Sequence, residues 1–174
     1  MRLIFIGASG HGIVCAEIAE LNGYDDILFL DDNRSIKECG KHAVVGMEAD
    51  FEKFVDGSTA FFVSIGNGHT RRRIQERISD AGGRIATLTH PGSVVSKEVI
   101  IGDGTVIMAG ATVSNNLSIC DGVVIGAGGI VVKSMEEKGT YVGVPAKMRN
   151  KIKTGGVLRK NSIHVAAFCE LLVA

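Results

Sequence analysis

Residues 107–133 read IMAGATVSNNLSICDGVVIGAGGIVVK, and the rhythm of this run decides the fold. Val95, Ile101, Ile107, Val113, Ile119, Ile125 and Val131 recur every six residues through and around it. Mostly small or β-branched residues (Val99, Thr105, Ala111, Leu117, Val123 and Gly129) stand two places before the next member of the series. Between them come GDG, AG, SNN, CDG and GAG. A period of six fits neither the 3.6-residue helix nor the two-residue strand. A parallel β-helix accounts for it: each hexad makes one face, its aliphatic residue points inward, and the polar pair turns the corner. Three hexads close one triangular turn, so the series supplies about two turns. Stacked repeats need about three or more units to bury their faces, so the first domain, the tail or neighbouring copies must cover the rest. Trimerisation is the expected solution.

Upstream of His90-Pro91-Gly92 the chain has a different character. LIFIG (3–7) reads as a buried strand and IVCAEIAELNG (13–23) as a helix with Gly23 as its C-cap. DILFLDD (26–32), AVVG (43–46) and TAFFVSIGN (59–67) read as further strands, with a short helix in MEADFEKFV and a longer one in TRRRIQERISDAGG (70–83). This β-α-β-β-α-β-α order predicts an open, mostly parallel sheet with helices on its faces. The expected division is 1–89 for this α/β domain, 90–147 for a short β-helix and 148–174 for a C-terminal extension. In that extension SIHVAAFCELLVA has helical spacing with Ser162 as N-cap, long enough to cap a coil and too short to span a membrane.

Composition narrows the function. Lys and Arg together equal Asp and Glu at 19 each, so nothing in the charge balance favours nucleic acid or an anionic membrane. Trp is absent, which argues against base-stacking platforms. The start is apolar for too few residues to be a signal peptide or a span. Cys15, Cys39, Cys120 and Cys169 are scattered, which predicts reduced thiols in the cytoplasm rather than a disulfide framework, and no metal site.

Three strand ends carry candidate chemistry. GASGHG (7–12) follows a strand and opens a helix, where glycines allow close approach and free N–H groups favour an anion. Its spacing is GxxGxG, so the dinucleotide fingerprint is not met. Asp31 and Asp32 end the second strand, where an acid can hold a ribose hydroxyl or simply make a turn. Gly66, Asn67 and Arg71 follow the fourth strand. Ligands of open α/β sheets bind outside such carboxyl ends.

Together, GASGHG, FLDD, SIGNGHTR, HPGSVVS, the hexads and EEKGTYVGVPAK (136–147) resemble the sialic acid O-acetyltransferase type, nearest to bacterial nucleotide-sugar N-acetyltransferases that acetylate a UDP-4-amino sugar. The resemblance runs from Met1 to about Met148. It implies a UDP-sugar on a Rossmann-like N-terminal domain, acetyl-CoA on a left-handed β-helix, and a homotrimer with sites between neighbouring coils. It would place Gly7, Ala8, Ser9, Gly10, His11, Asp31, Asp32, Gly66, Asn67 and Arg71 around the sugar nucleotide. Gly126, Gly128, Gly143, Pro145 and Lys147 match the acetyl-CoA side.

One departure touches the mechanism. The family carries a histidine followed by an acid within a longer β-helix; this chain passes directly from an early coil to the last ones, as if about three turns were missing, and its hexads contain no histidine. His42 lies in a polar loop and His164 in the tail, which leaves His11, His69 and His90 as substitutes for the base. The expectation is therefore an acetyl-CoA-dependent acetyltransferase acting on an amino or hydroxyl group of a nucleotide sugar, with impaired activity. The alternative is a nucleotide-sugar-binding relic without catalysis. A carbonic anhydrase would need several metal-binding histidines near the coils, and an NAD enzyme a different glycine spacing.

Overall fold

The computed structural model describes residues 1–149. The helix expected from Ser162, together with His164 and Cys169, lies outside the described residues.

Six strands form the first sheet in the order β3-β4-β2-β1-β5-β6: β1 (Arg2–Ile6), β2 (Asp26–Leu30), β3 (Glu38–Cys39), β4 (His42–Gly46), β5 (Ala60–Val63) and β6 (Arg84–Ile85). All neighbours are parallel except the β3–β4 hairpin. Successive residues of a strand face opposite sides. Leu3 and Phe5 enter one apolar cluster with Phe29 and Phe62, while Ile4 and Ile6 enter another with Phe61 and Val63. Both sides are covered, which explains the unbroken apolar runs. Helix α1 (Gly10–Leu21) covers the first side; α2 (Gly68–Asp80) and a 3-10 segment (Glu48–Phe54) cover the second. Both helices begin earlier than their apolar spacing suggests, because Ser9 and Asn67 cap them.

The coils begin at β7 (Leu88–Thr89), just ahead of the boundary expected at residue 90. Val106 pairs with Leu88 and with Val124, and Ile125 with Tyr141. The first face thus stacks β7, β10 (Val106–Ile107), β13 (Val124–Ile125) and β15 (Thr140–Val142), with β16 (Lys147–Met148) antiparallel at the end. The second face stacks β8 (Val94–Val95), β11 (Thr112–Val113) and β14 (Ile130–Val131). The third pairs β9 (Ile100–Ile101) with β12 (Ser118–Ile119), and Ile119 bridges Met135. These strands make three coils rather than two. The hexad count stops short because β7 precedes the series and the last coil is tightened beyond Val131, where Met135 takes the inward place.

The corners explain the polar residues. Gly104, Gly110, Asn116, Gly122 and Gly128 stand six apart, with φ of 68°, 68°, 54°, 66° and 67°. A left-handed residue turns the chain at each corner, and glycine bears it at least cost. Inside, Ile107, Val113, Ile119, Ile125 and Val131 form one core. Outside, the first face is covered: Leu88, Val106, Met108 and Val124 join the cluster of α1, so this helix packs between the sheet and the coils. The other two faces keep Val94 and Ile100 exposed at 66% and 70%.

Two corners separate backbone cost from packing cost. A Cβ at Gly110 meets nothing closer than 3.8 Å, whereas one at Gly104 would lie 2.1 Å from Gln75 Nε2. Gly110→Ala is expected to lose about 1–2 kcal/mol, the cost of a left-handed side chain. Gly104→Ala should lose about 1–3 kcal/mol more through overpacking. Urea denaturation of both variants checks the order.

Candidate functional site

The strand order changes direction at β1. The chain leaves β1 through α1 to β2 on one side, and arrives through the 3-10 segment at β5 on the other. Such a switch point opens a crevice at the carboxyl ends of the strands. Its floor is the loop Gly7–Gly10 and the segment Ser64–Asn67. The two are tied together: Ser64 Oγ donates to Gly7 O at 2.6 Å, and Ser9 Oγ donates to Ser64 O at 3.4 Å. Gly12 lets α1 approach this closely, since a Cβ there would lie 2.8 Å from Gly7 O. The first amides of α1, at Gly10 and His11, have no partner four residues back, and Ser9 accepts from Gly12 N at 3.4 Å. This gives the crevice an anion-attracting end.

The acids at the end of β2 shape the crevice. Asp31 accepts from Ala8 N at 2.7 Å and from Asn33 N at 2.8 Å, so both of its oxygens fix loops. Asp32 accepts from Glu48 N at 3.0 Å and starts the 3-10 segment. Asn67 accepts from His69 N and Thr70 N at 3.0 Å each, which commits its oxygen to capping α2. Gly66 and Asn67 are exposed at the crevice lip.

Two expected ligand residues turn inward. Arg71 is 3% exposed, and its guanidinium donates to Ile65 O at 2.8 Å and to Gly122 O at 3.1 Å. His11 is 7% exposed, with Cys15 Sγ 3.6 Å from its Nε2. Burial, and then the nearby Arg71 charge, hold His11 down at about 4, while burial pushes the Cys15 thiol up. Cys15 lies in the cluster that joins α1 to the coils, so this group belongs to the domain junction.

The other histidines differ in kind. His90 Nδ1 accepts from Gly92 N at 2.8 Å, which leaves Nε2 protonated in the neutral ring: a donor rather than a base. His69 is exposed on the first turn of α2. The Glu76 carboxyl is held below its usual range by Arg72 first, then by Lys138 and His69, so His69 and a coil residue share one neighbourhood. His42 is in β4 rather than a loop, 2.9 Å from Glu20 Oε1. A cavity of about 290 Å³ beside it, lined by Ile13, Glu17, Cys39 and Lys41 among others, holds none of the expected residues.

The acetyl-CoA candidates gather at another corner. Gly128 N donates to Ala109 O at 3.0 Å, Gly126 N to Tyr141 O at 2.9 Å, and Ile130 N to Gly143 O at 3.0 Å. Pro145 follows Gly143 in the turn between β15 and β16, and Lys147 pairs with Val142. This corner lies between the first and second faces. Arg71 and Gly122 meet at the corner between the third and first. The face covered by α1 separates the two groups.

Sequence reasoning missed Gln75, Gly104 and Gly122 as the seat of α2 on the coils. The repeat explains those glycines fully as corners, so nothing in it signals a second duty. Among the described residues no cluster suited to a metal ion occurs, and no helix is long and apolar enough to cross a membrane.

Residues 2–78 match the family described as the PglD N-terminal domain. The chain is 32% identical over 114 residues to UDP-N-acetylbacillosamine N-acetyltransferase of Bacillus subtilis (strain 168), covering 62% of this chain and 51% of that protein. It therefore spans about half the length of that curated relative. Among solved structures, it is similar to the acetyltransferase domain of PglB from Neisseria gonorrhoeae FA1090, with TM-score 0.60, 27% identity and coverage of 85% and 99%. That domain is also known in complex with acetyl coenzyme A. PerB from Caulobacter crescentus, in complex with CoA and GDP-perosamine, shares the fold at TM-score 0.58 and 21% identity, covering 86% and 98%. The fold is that of an α/β domain followed by a left-handed β-helix.

The junction histidine gives a pH test. His11 is neutral in the folded protein and binds a proton near 6.5 when unfolded, so stability is full above that value and falls from there down to about 4. Between pH 7 and pH 5 the wild type should lose about 2 kcal/mol through this group. His11→Gln should remove that part of the loss. Urea unfolding at both values checks it.

Proposed function

We propose that this chain belongs with the bacterial sugar N-acetyltransferases and transfers acetyl from acetyl-CoA to an amino group of a nucleotide-activated sugar. The likeness to the PglB acetyltransferase domain across nearly the whole described chain carries this reading. In it the nucleotide diphosphate lies at the first turn of α1, where unpaired amides and the helix dipole favour negative charge. Gly7, Ala8, Ser9 and Gly10 line the approach, Asp31 and Asp32 hold the loops beside the base and ribose, and Gly66 and Asn67 form the lip. Acetyl-CoA lies along the corner of Gly126, Gly128 and Gly143, with Pro145 and Lys147 at its end.

The two half-sites stand at different corners of one coil, and Val94 and Ile100 leave two faces apolar and exposed. Both observations support a homotrimer in which one copy's crevice meets its neighbour's acetyl-CoA corner. Proton transfer is the weak element. His90 is held as a donor and His11 is buried, so we assign the proton-accepting role to His69, exposed beside the lip. Positioning adds rate when the attacking amine is already partly neutral.

The second reading is a nucleotide-sugar binder that no longer transfers. It is favoured by the hexads from Val95 to Val131, which carry no histidine, and by His90, the histidine in the turn before them, whose Nδ1 is taken by Gly92 N.

Calorimetric titration with acetyl-CoA separates the two, since it requires no choice of sugar. Saturable binding of one acetyl-CoA per chain is expected, and His69→Gln should leave it unchanged while lowering turnover by about 10²-fold or more. A flat isotherm in a folded, oligomeric sample would overturn the transferase reading and leave the binder.

A further inference from the structure

We propose that Arg71 is a positioning residue that ties the crevice to the coils, so that a nucleotide bound at the strand ends is felt at the Asp121–Gly122 corner. The proposal rests on the nucleotide site described above and adds a route from it. The guanidinium is one rigid plane with its donors in a fixed fork. One nitrogen, Nη1, donates to Ile65 O at 2.8 Å and to Gly66 O at 3.5 Å, inside the loop that forms the lip. The other, Nη2, donates to Gly122 O at 3.1 Å. Displacing the lip therefore displaces the corner or breaks one of these bonds.

The corner passes the contact on. Gly122 N donates to Asp103 O at 2.8 Å, and Asp121 Oδ1 accepts from Asp103 N at 3.0 Å, so it is stacked on the same corner of the preceding coil. One turn further along α2, Gln75 fills the space that side chains would take at both levels. A Cβ would lie 2.1 Å from its Nε2 at Gly104 and 3.0 Å from its Oε1 at Gly122. Helix α2 thus meets two successive coils, through a hydrogen bond from Arg71 and through the packing of the buried Gln75.

The charge gives the contact something to sense. Among the described residues no carboxylate lies within ion-pair distance of Arg71, so three carbonyl oxygens hold a buried cation. Such an arrangement is a poor route to stability, since an apolar side chain avoids the desolvation. A diphosphate arriving at the crevice is the anion that meets this field. It favours the arrangement in which the guanidinium bridges lip and corner with all its bonds made, and differential binding of that kind is what a coupled site requires.

The test uses the full chain and UDP as probe, with calorimetry for binding and hydrogen exchange read by mass spectrometry. At saturating UDP the wild type should slow exchange in peptides covering 64–68 and also 119–124, by about fivefold or more at the second. Arg71→Lys keeps the charge but has one nitrogen and cannot span both carbonyls. In this variant the slowing at 64–68 should remain and that at 119–124 should vanish, while Gln75→Leu retains both. A wild type that binds UDP yet responds only at 64–68 overturns the coupling and leaves the nucleotide site standing, as does Arg71→Lys responding like wild type. A flat UDP isotherm overturns the nucleotide site and the coupling with it. Should Arg71→Lys not fold, the wild-type comparison with and without UDP still decides.

Discussion

The turn taken every six residues governs the second half of the molecule. A coil must change direction three times and return in register above its own start. The left-handed residues at 104, 110, 116, 122 and 128 do this at nearly constant φ. With the corners set, the intervening residues have little freedom: one points inward at Val113, Ile119 or Ile125, and its predecessor points outward. Core, pairing and outer surface follow from the same constraint. Breaking one corner would therefore disturb the stack above and below it as well as the local turn.

The second organising contact is the seat of the first domain on the coils. Leu88, Val106 and Val124 are almost fully buried against α1, and burial of each such side chain is worth about 1.5–3 kcal/mol. That apolar surface supplies most of the adhesion. The hydrogen bond of Arg71 to Gly122 O fixes where it sits, because hydrogen bonds are directional and apolar contact is not. Reaction between groups carried on two domains needs both. A placement error of about 1 Å can cost roughly 10²-fold in rate.

The sequence is most readable where local chemistry and global position agree. Hexads, strand runs and both helices are legible because periodicity reports which side chains are inside. Ser9 and Asn67 shift the helix starts because capping follows a single residue rather than a period. The crevice loop is legible from GASGHG, and Ser64 closes it through a hydroxyl that no spacing rule singles out. Arg71 marks the boundary of such reading. From sequence it is a ligand candidate at a strand end, in a run of three cations on a polar helix. Its burial depends on Gly122, 51 residues away, which lacks a side chain at the right corner.

The same logic bears on the length of the stack. In a repeat of this kind a whole turn can be lost without disturbing register, because each coil presents the same surface to the next. Stability therefore does not protect the chemistry that a particular coil carries. What does constrain the chain is the seat of α1 and α2, which spans the first face and two successive corners. Coils beneath that seat cannot be removed without stripping the first domain of its cover, whereas coils beyond it can. Within this chain all three coils lie under the first domain, through Leu88, Val106 and Val124. The corner of Gly126, Gly128 and Gly143 occupies the same levels of the stack.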